Sequence, residues 1–325
     1  MFTKIFKQLS YKDAGEAGGK GANLGEMTKT KMPVPPGFVV LAAAFDRFLE
    51  ETDLGVDVAA ILKKVNYKDI NSVDKASNVI RGLIHDQAMP DDIKKEILAE
   101  YYKLRGKPHP RPLLSKEREF FVAVRSSATA EDSSVASWAG ELETYLDTTK
   151  KDLIENVKKC WSSLFTPRAI FYRHEKKLLK TKVSVAVVIQ HMIESEISGI
   201  AFTVHPVTKD KNQMIIEAGW GLGEAIVSGQ ITPDAYVIDK QNLSIMDINI
   251  AKQKIMIIRK TGGGIKRAVV PKAKQEKQKL NGKQIIELTK ICANIEKHYK
   301  KPQDIEWAFA RGKFYITQSR PITTL

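Results

Sequence analysis

The period of the apolar positions changes several times along the chain, and each change marks an element. Pro33-Val34-Pro35-Pro36-Gly37 followed by the unbroken apolar run Phe38-Val39-Val40-Leu41 predicts a proline turn feeding a strand. Upstream, Gly18-Gly19-Lys20-Gly21-Ala22-Asn23-Leu24-Gly25-Glu26-Met27 predicts a glycine loop and a short helix. Residues 42–106 mix charged and apolar positions at helical spacing, with Pro90-Asp91-Asp92 as a helix start, and residues 107–112 read as a loop. A buried strand, Phe121-Val122-Ala123-Val124, runs into the polar segment 125–134, the kind of junction at which strand-end sites form. Residues 150–180 read as helix, and the β-branched run 183–189 ends at Gln190-His191-Met192. Further strands fall near 199–204, 214–217 and 235–239, with a glycine-rich turn, Gly219-Trp220-Gly221-Leu222-Gly223-Glu224, between the last two. Leu288, Ile291, Cys292, Ile295 and Tyr299 trace the stripe of one amphipathic helix. Two short strands, 305–309 and 314–320, close the chain across Ala310-Arg311-Gly312. Mixed strands and helices throughout make the expected fold class α+β, without internal repeats.

Composition narrows the class. At roughly 150 residues per domain, 325 residues predict two domains, and 43% hydrophobic residues supply a real core. Thirteen Pro, 20 Gly and a 28% charged fraction argue against collagen-like and low-complexity chains, and no apolar run approaches the ~18 residues of a membrane span. The opening Met-Phe-Thr-Lys-Ile-Phe-Lys lacks the apolar stretch of a secretory signal. Cys160 and Cys292, far apart and in no C-x-x-C, build neither a disulfide framework nor a structural zinc site. The expected location is therefore the cytoplasm.

The net charge is +14, and its distribution is uneven. Residues 240–325 hold 19 Lys and Arg against six Asp and Glu, leaving the rest of the chain almost neutral. Such a cationic third suits nucleic acid, a membrane surface, an acidic partner or a small polyanion such as a nucleotide triphosphate; a solvated lysine-rich surface is the equally good alternative.

Three clusters carry candidate chemistry. In the first, Lys20 between Gly19 and Gly21 offers bare backbone N–H groups and an ammonium to a phosphate. It is not a P-loop, which needs Ser or Thr after the lysine, and no G-x-G-x-x-G starts at Gly19 or Gly219. Alone, it reads first as a structural turn. The second cluster, 125–134, combines Arg125 with four serines and Thr129, all suited to phosphate oxygens, with Glu131-Asp132 nearby; a Ser/Thr-rich surface loop is the equal alternative. A serine nucleophile is a poor reading there, because no G-x-S-x-G surrounds it. In the third, Glu306 lies on one closing strand and Gln318 and Arg320 on the next, the latter two on one strand face. Oxygen donors from Glu306 and Gln318 suit Mg²⁺, with Arg320 gripping a terminal phosphate; a Glu306–Arg320 surface ion pair is the alternative. The six histidines show no metal-ligand spacing.

Taken together, the motifs Gly18-Gly19-Lys20-Gly21-Ala22-Asn23-Leu24, Val124-Arg125-Ser126-Ser127-Ala128-Thr129-Ala130-Glu131-Asp132, Ala139-Gly140 with Glu143-Thr144-Tyr145-Leu146, Gly221-Leu222-Gly223-Glu224 and Asp304-Ile305-Glu306-Trp307 leading to Gln318-Ser319-Arg320-Pro321 resemble the ATP-binding domain of phosphoenolpyruvate synthase (pyruvate, water dikinase). Pyruvate phosphate dikinase and rifampin phosphotransferase share that domain. The resemblance runs in order over essentially the whole chain. It implies an ATP-grasp fold whose two subdomains, 1–190 and 191–325, clamp Mg-ATP. By motif position it implies that Lys20 and Arg125 contact phosphates, that Gly140 and Thr144 line the phosphate channel, and that Gln190 and the backbone to Met192 meet the adenine. It further implies that Glu306 and Gln318 hold Mg²⁺ and that Arg320, with Lys20 and Arg125, acts catalytically on the phosphates.

The family's reaction passes the β-phosphoryl group to a histidine on a separate swivelling domain, releases AMP and phosphate, and then phosphorylates pyruvate elsewhere. Arg125-Ser126-Ser127-Ala128-Thr129 matches the synthase and rifampin branch, whereas Glu141-Leu142 stands where that branch usually has Gln-Gln. No histidine occupies a Thr/Ser-rich acceptor loop, so the expectation is that the histidine domain and the pyruvate site lie outside this chain. An antibiotic-modifying phosphotransferase and a non-catalytic nucleotide sensor or basic nucleic-acid module are the competing readings. Against the last, no nucleic-acid motif and no aromatic-interleaved basic stripe is found.

Overall fold

Antiparallel sheets faced by helices form both halves of the chain in a computed structural model that describes residues 1–106, 120–129, 142–178 and 183–323. The fold is α+β. Two compact units account for it: residues 1–26 with 36–192, and residues 27–35 with 193–325.

In the first unit, β1 (Thr3–Ile5), α1 (Ala14–Lys29, shared with the second unit), β2 (Gly37–Val40), α2 (Ala42–Glu51), α3 (Leu54–Lys63), α4 (Ile70–Asp86) and α5 (Asp91–Arg105) precede β3 (Val122–Ala128). β4 (Thr144–Thr148), α6 (Lys150–Ser162), α7 (Pro167–Glu175) and β5 (Val185–His191) complete it. The sheet order is β1-β2-β5-β3-β4, with every neighbour antiparallel. Alternation sorts its side chains. Phe38, Val40, Val122, Val124, Val185, Val187 and Ile189 enter the core beneath the helices, where Phe45, Phe48 and Trp161 pack with ring centroids 5.1–5.5 Å apart. Helix starts are written locally: Asp69 accepts from Asn71 N–H at 3.0 Å, and Thr166 accepts from Ala169 N–H at 3.1 Å with Pro167 in the first turn.

The second unit holds β6 (Ile197–Phe202), β7 (Gln213–Trp220), α8 (Glu224–Val227), β8 (Asp234–Asp239), β9 (Ser244–Asn249), β10 (Ile255–Arg259), β11 (Ile265–Val269), α9 (Gly282–Tyr299), β12 (Gln303–Ala310) and β13 (Lys313–Pro321). Its main sheet runs β13-β12-β6-β7-β8-β9, and β10-β11 is a separate hairpin. The apolar stripe of α9 is buried at Ile285, Leu288, Cys292 and Ile295, and an Asn281–Gln284 capping box starts the helix. Residues 27–35 pack here, Ile316 N–H donating to Pro33 O at 2.9 Å.

Two expectations need correcting. The glycine segment 18–25 is not a loop: it lies inside α1, interrupted by a single break at Gly18 (φ 68°, ψ 168°). Residues 125–128 do not follow the strand but belong to it, since β3 extends through Ala128 with all seven residues buried. The loop expected at 107–112 and residues 130–134 lie outside the described residues.

Candidate functional site

In the first unit the site residues are gathered by the sheet face opposite the helical core. β3 places Arg125 and Ser127 there, and Arg125 stands directly opposite Thr144 of β4. Gln190 of β5 lies in register with Ala123 and Gly37 on the same face. Against this face packs α1, and its glycines are the reason it fits. A Cβ on Gly18 would sit 2.3 Å from the Ser127 carbonyl oxygen, and one on Gly21 would sit 3.0 Å from a Val39 methyl. The close approach is sealed by Ser127 Oγ, which donates to the Ala17 carbonyl (3.1 Å) and accepts from Gly21 N–H (3.3 Å). Lys20 therefore rides on a helix clamped to the strand that carries Arg125, so the first two clusters converge. The glycines act by packing, not by wrapping a ligand in a loop.

Polar anchors fix the edge of this face. Glu143 accepts from Arg81 Nη2 at 2.8 and 3.1 Å and from the Tyr145 hydroxyl, while its carbonyl accepts from Ser126 Oγ at 2.6 Å. These bonds hold β4, and with it the exposed Thr144, against α4 and β3. Burial and the Glu143 carboxylate push the Tyr145 hydroxyl well above its ordinary value, so it remains a donor. Gln190 is buried. Met192 N–H donates to the Phe121 carbonyl at 3.0 Å. Gly140 lies outside the described residues.

In the second unit a hairpin sets the geometry. Arg311 (φ 51°) and Gly312 (φ 74°) form the two-residue turn that joins β12 to β13 and pairs Ala310 with Lys313. Continued without interruption, that register would bring Thr317 opposite Glu306. A bulge between Glu306 and Trp307 advances it by one residue, so Gln318 faces Glu306 and Arg320 faces Asp304. Glu306 also aligns through Ile200 of β6 with Glu217 of β7, which puts Glu217, Asp304, Glu306, Gln318 and Arg320 on one sheet face. The opposite face buries Ile305, Trp307 and Tyr236.

This face is short of positive charge. Arg320 donates from Nε (2.9 Å) and Nη2 (2.7 Å) to one oxygen of Asp304, an ion pair along this face. Burial raises the Asp304 carboxyl above its ordinary value; Arg320 opposes that rise and Glu306 adds to it. Glu217 is raised by burial and then by Asp304. Half-buried carboxylates that repel one another fit a cation, and an all-oxygen donor set suits a hard one. Among the described residues no group of three or more His, Cys, Asp or Glu is arranged to hold a metal. A cation here would therefore draw on Glu306 and Gln318 and complete its shell with oxygens from a ligand.

Sequence reasoning missed Asp304 and Glu217. Asp304 was visible as the residue two before Glu306 on the same strand face, whereas Glu217 becomes legible only once the sheet order is known.

Comparison with known proteins gives the chain a family. Residues 14–325 fit the family model described as pyruvate phosphate dikinase, AMP/ATP-binding domain. The chain belongs to this family. Among curated members of the wider group it is 46% identical over its full length to a probable phosphoenolpyruvate synthase of Methanocaldococcus jannaschii, covering 27% of that protein. It is 41% identical over its full length to the phosphoenolpyruvate synthase of Pyrococcus furiosus, covering 44% of it. The rifampicin phosphotransferase of Bacillus subtilis is 38% identical across 95% of the chain, which covers 34% of that protein. The chain thus spans less than half the length of these relatives. The family description makes it an AMP/ATP-binding domain. No described helix is long and apolar enough to cross a membrane.

Proposed function

We propose that this chain is the Mg-ATP-binding part of a phosphoenolpyruvate synthase-like dikinase with an ATP-grasp arrangement. The family match over residues 14–325 carries the reading. In it, the subdomain division falls near residue 190. Lys20 and Arg125 bind phosphate oxygens, Thr144 and Gly140 line the phosphate path, and Gln190 with the Met192 carbonyl orients the adenine. Glu306 and Gln318 hold Mg²⁺, which when bound offsets the charge of the phosphates. Arg320, oriented by Asp304, meets the terminal phosphates and stabilises charge that develops during transfer.

The β-phosphoryl group then passes to a histidine on a separate domain, AMP and phosphate leave with consumption of one water, and the phosphohistidine phosphorylates pyruvate bound elsewhere. The higher identity to phosphoenolpyruvate synthases supports pyruvate over an antibiotic as the final acceptor. We place the protein in the cytoplasm, with no specific nucleic-acid partner. ATP labelled at the β-phosphorus tests the proposal: with a histidine-bearing domain added, label should appear on that domain together with AMP. Formation of ADP with no labelled domain would refute it.

A further inference from the structure

Away from the sheet faces just described, the first unit encloses a cavity of about 420 Å³ between α2, α3 and α7, within the usual range of small-ligand pockets. Its inner wall is apolar, formed by Phe45, Leu49, Val58, Leu164, Phe165 and Val183. Gly55, Ala59 and Lys63, all exposed on α3, form its mouth. The most buried of the charged groups that line it is Arg173 of α7, which is 8% exposed.

The donors of that arginine are incompletely matched. Its Nε is buried without a hydrogen bond, and among the described residues no carboxylate lies within ion-pair distance of its guanidinium. Asp46 shares the cavity wall but accepts from Ser184 Oγ at 2.9 Å. Burial pulls the Arg173 guanidinium below its ordinary value, with only Tyr67 opposing. Tyr67 is itself held by stacking on His174, the rings 3.9 Å apart and 11° from parallel. A buried guanidinium is tolerated when an anion meets it, and it is a standing cost when nothing does. The packing of an arginine stem against apolar walls explains its carbons but not the placement of its donors.

We propose that this cavity binds an organic monocarboxylate with a hydrocarbon body. The carboxylate matches the planar two-pronged donor of Arg173, and the apolar wall takes the tail. Lys63 at the mouth favours entry of an anion, while Asp46 on the wall disfavours a second negative charge, which selects a monocarboxylate over phosphate or a dicarboxylate. The site is independent of the nucleotide reading, since it uses none of the same residues.

Hexanoate serves as the probe, with acetate, hexylamine and inorganic phosphate as controls, in thermal unfolding of the whole chain. Millimolar hexanoate should raise the melting temperature in a concentration-dependent manner, and the three controls should not. Arg173→Met, which removes an unmatched buried charge, should melt no lower than the parent and bind hexanoate at least about tenfold more weakly. Ala59→Trp, which blocks the mouth from an exposed helix position, should abolish the shift and keep the fold, and it carries the test if Arg173→Met fails to fold. No hexanoate shift in the parent overturns the proposal. So does a shift of equal size with hexylamine, or one that survives unchanged in Ala59→Trp.

Discussion

The two candidate faces are built by opposite means. In the first unit, close contact of backbones does the positioning: glycines in α1 allow the helix that carries Lys20 to lie on β3, the strand that carries Arg125. In the second, α1 has no counterpart on the site face; strand register alone aligns Glu217, Asp304, Glu306, Gln318 and Arg320. The first face is cationic and suits phosphates, and the second is rich in carboxylates and suits a metal. The difference teaches that damage should separate cleanly. Positioning elements of the first face are also elements of stability, whereas the side chains of the second can be changed with little effect on folding.

The largest effect should come from Gly18→Ala. Its backbone occupies a region essentially reserved for glycine, and the new methyl meets the Ser127 main chain, so a loss of about 3 kcal/mol or more in unfolding free energy is expected by denaturant titration. A loss below about 0.5 kcal/mol would erase the contrast between the faces.

Next is Glu306→Gln, which keeps shape and removes charge. The Mg²⁺ concentration needed for half-maximal nucleotide binding should rise about tenfold or more, with the melting temperature almost unchanged. Arg320→Lys should cut phosphoryl transfer to a histidine-bearing partner while altering stability by no more than about 1 kcal/mol, because the Asp304 pair is 40% exposed on its arginine side. Unchanged transfer and Mg²⁺ dependence in both variants would remove this face from the site.

A smaller effect sharpens the electrostatic half of the contrast. The raised Glu217 and Asp304 carboxyls favour the fold while protonated; that contribution is complete below their ordinary values of 4.5 and 3.8 and is lost as pH rises through their elevated ones. Glu217→Gln should therefore raise the melting temperature by a few degrees, on the order of 1 kcal/mol or less, at neutral pH. The gain should vanish below about pH 4.5, and its persistence there would assign it to packing instead.

The smallest effect concerns the lysine-rich surface of residues 240–325. Nucleic acid should bind weakly and lose that binding steeply with salt, and tight sequence-selective binding at physiological salt would contradict this.

Much of this architecture was legible in the residues. The helical spacing of 42–106, the β-branched run before Gln190 and the closing pair of strands all appear where the apolar pattern predicts them. The glycine segment misled because glycine density signals a turn locally, whereas in α1 the tertiary contact with β3 and Val39 outweighs the intrinsic helix penalty. β4, β9, β10 and β11 left no signal; β9, for example, exposes five of its six residues and carries no alternation. Glu306, Gln318 and Arg320 were legible as a cluster from strand spacing. Their exact partners were not, because the bulge that brings Gln318 opposite Glu306, and Arg320 opposite Asp304, is a one-residue shift with no sequence mark.

The central claim is that this chain binds Mg-ATP. Thermal or denaturant unfolding with ATP and Mg²⁺, compared with ATP and EDTA, tests it most directly. At ~100 times the dissociation constant, Mg-ATP should stabilise the chain by about 2.7 kcal/mol, and EDTA should abolish most of that gain. No stabilisation at millimolar Mg-ATP, or an equal gain with EDTA present, would contradict the account.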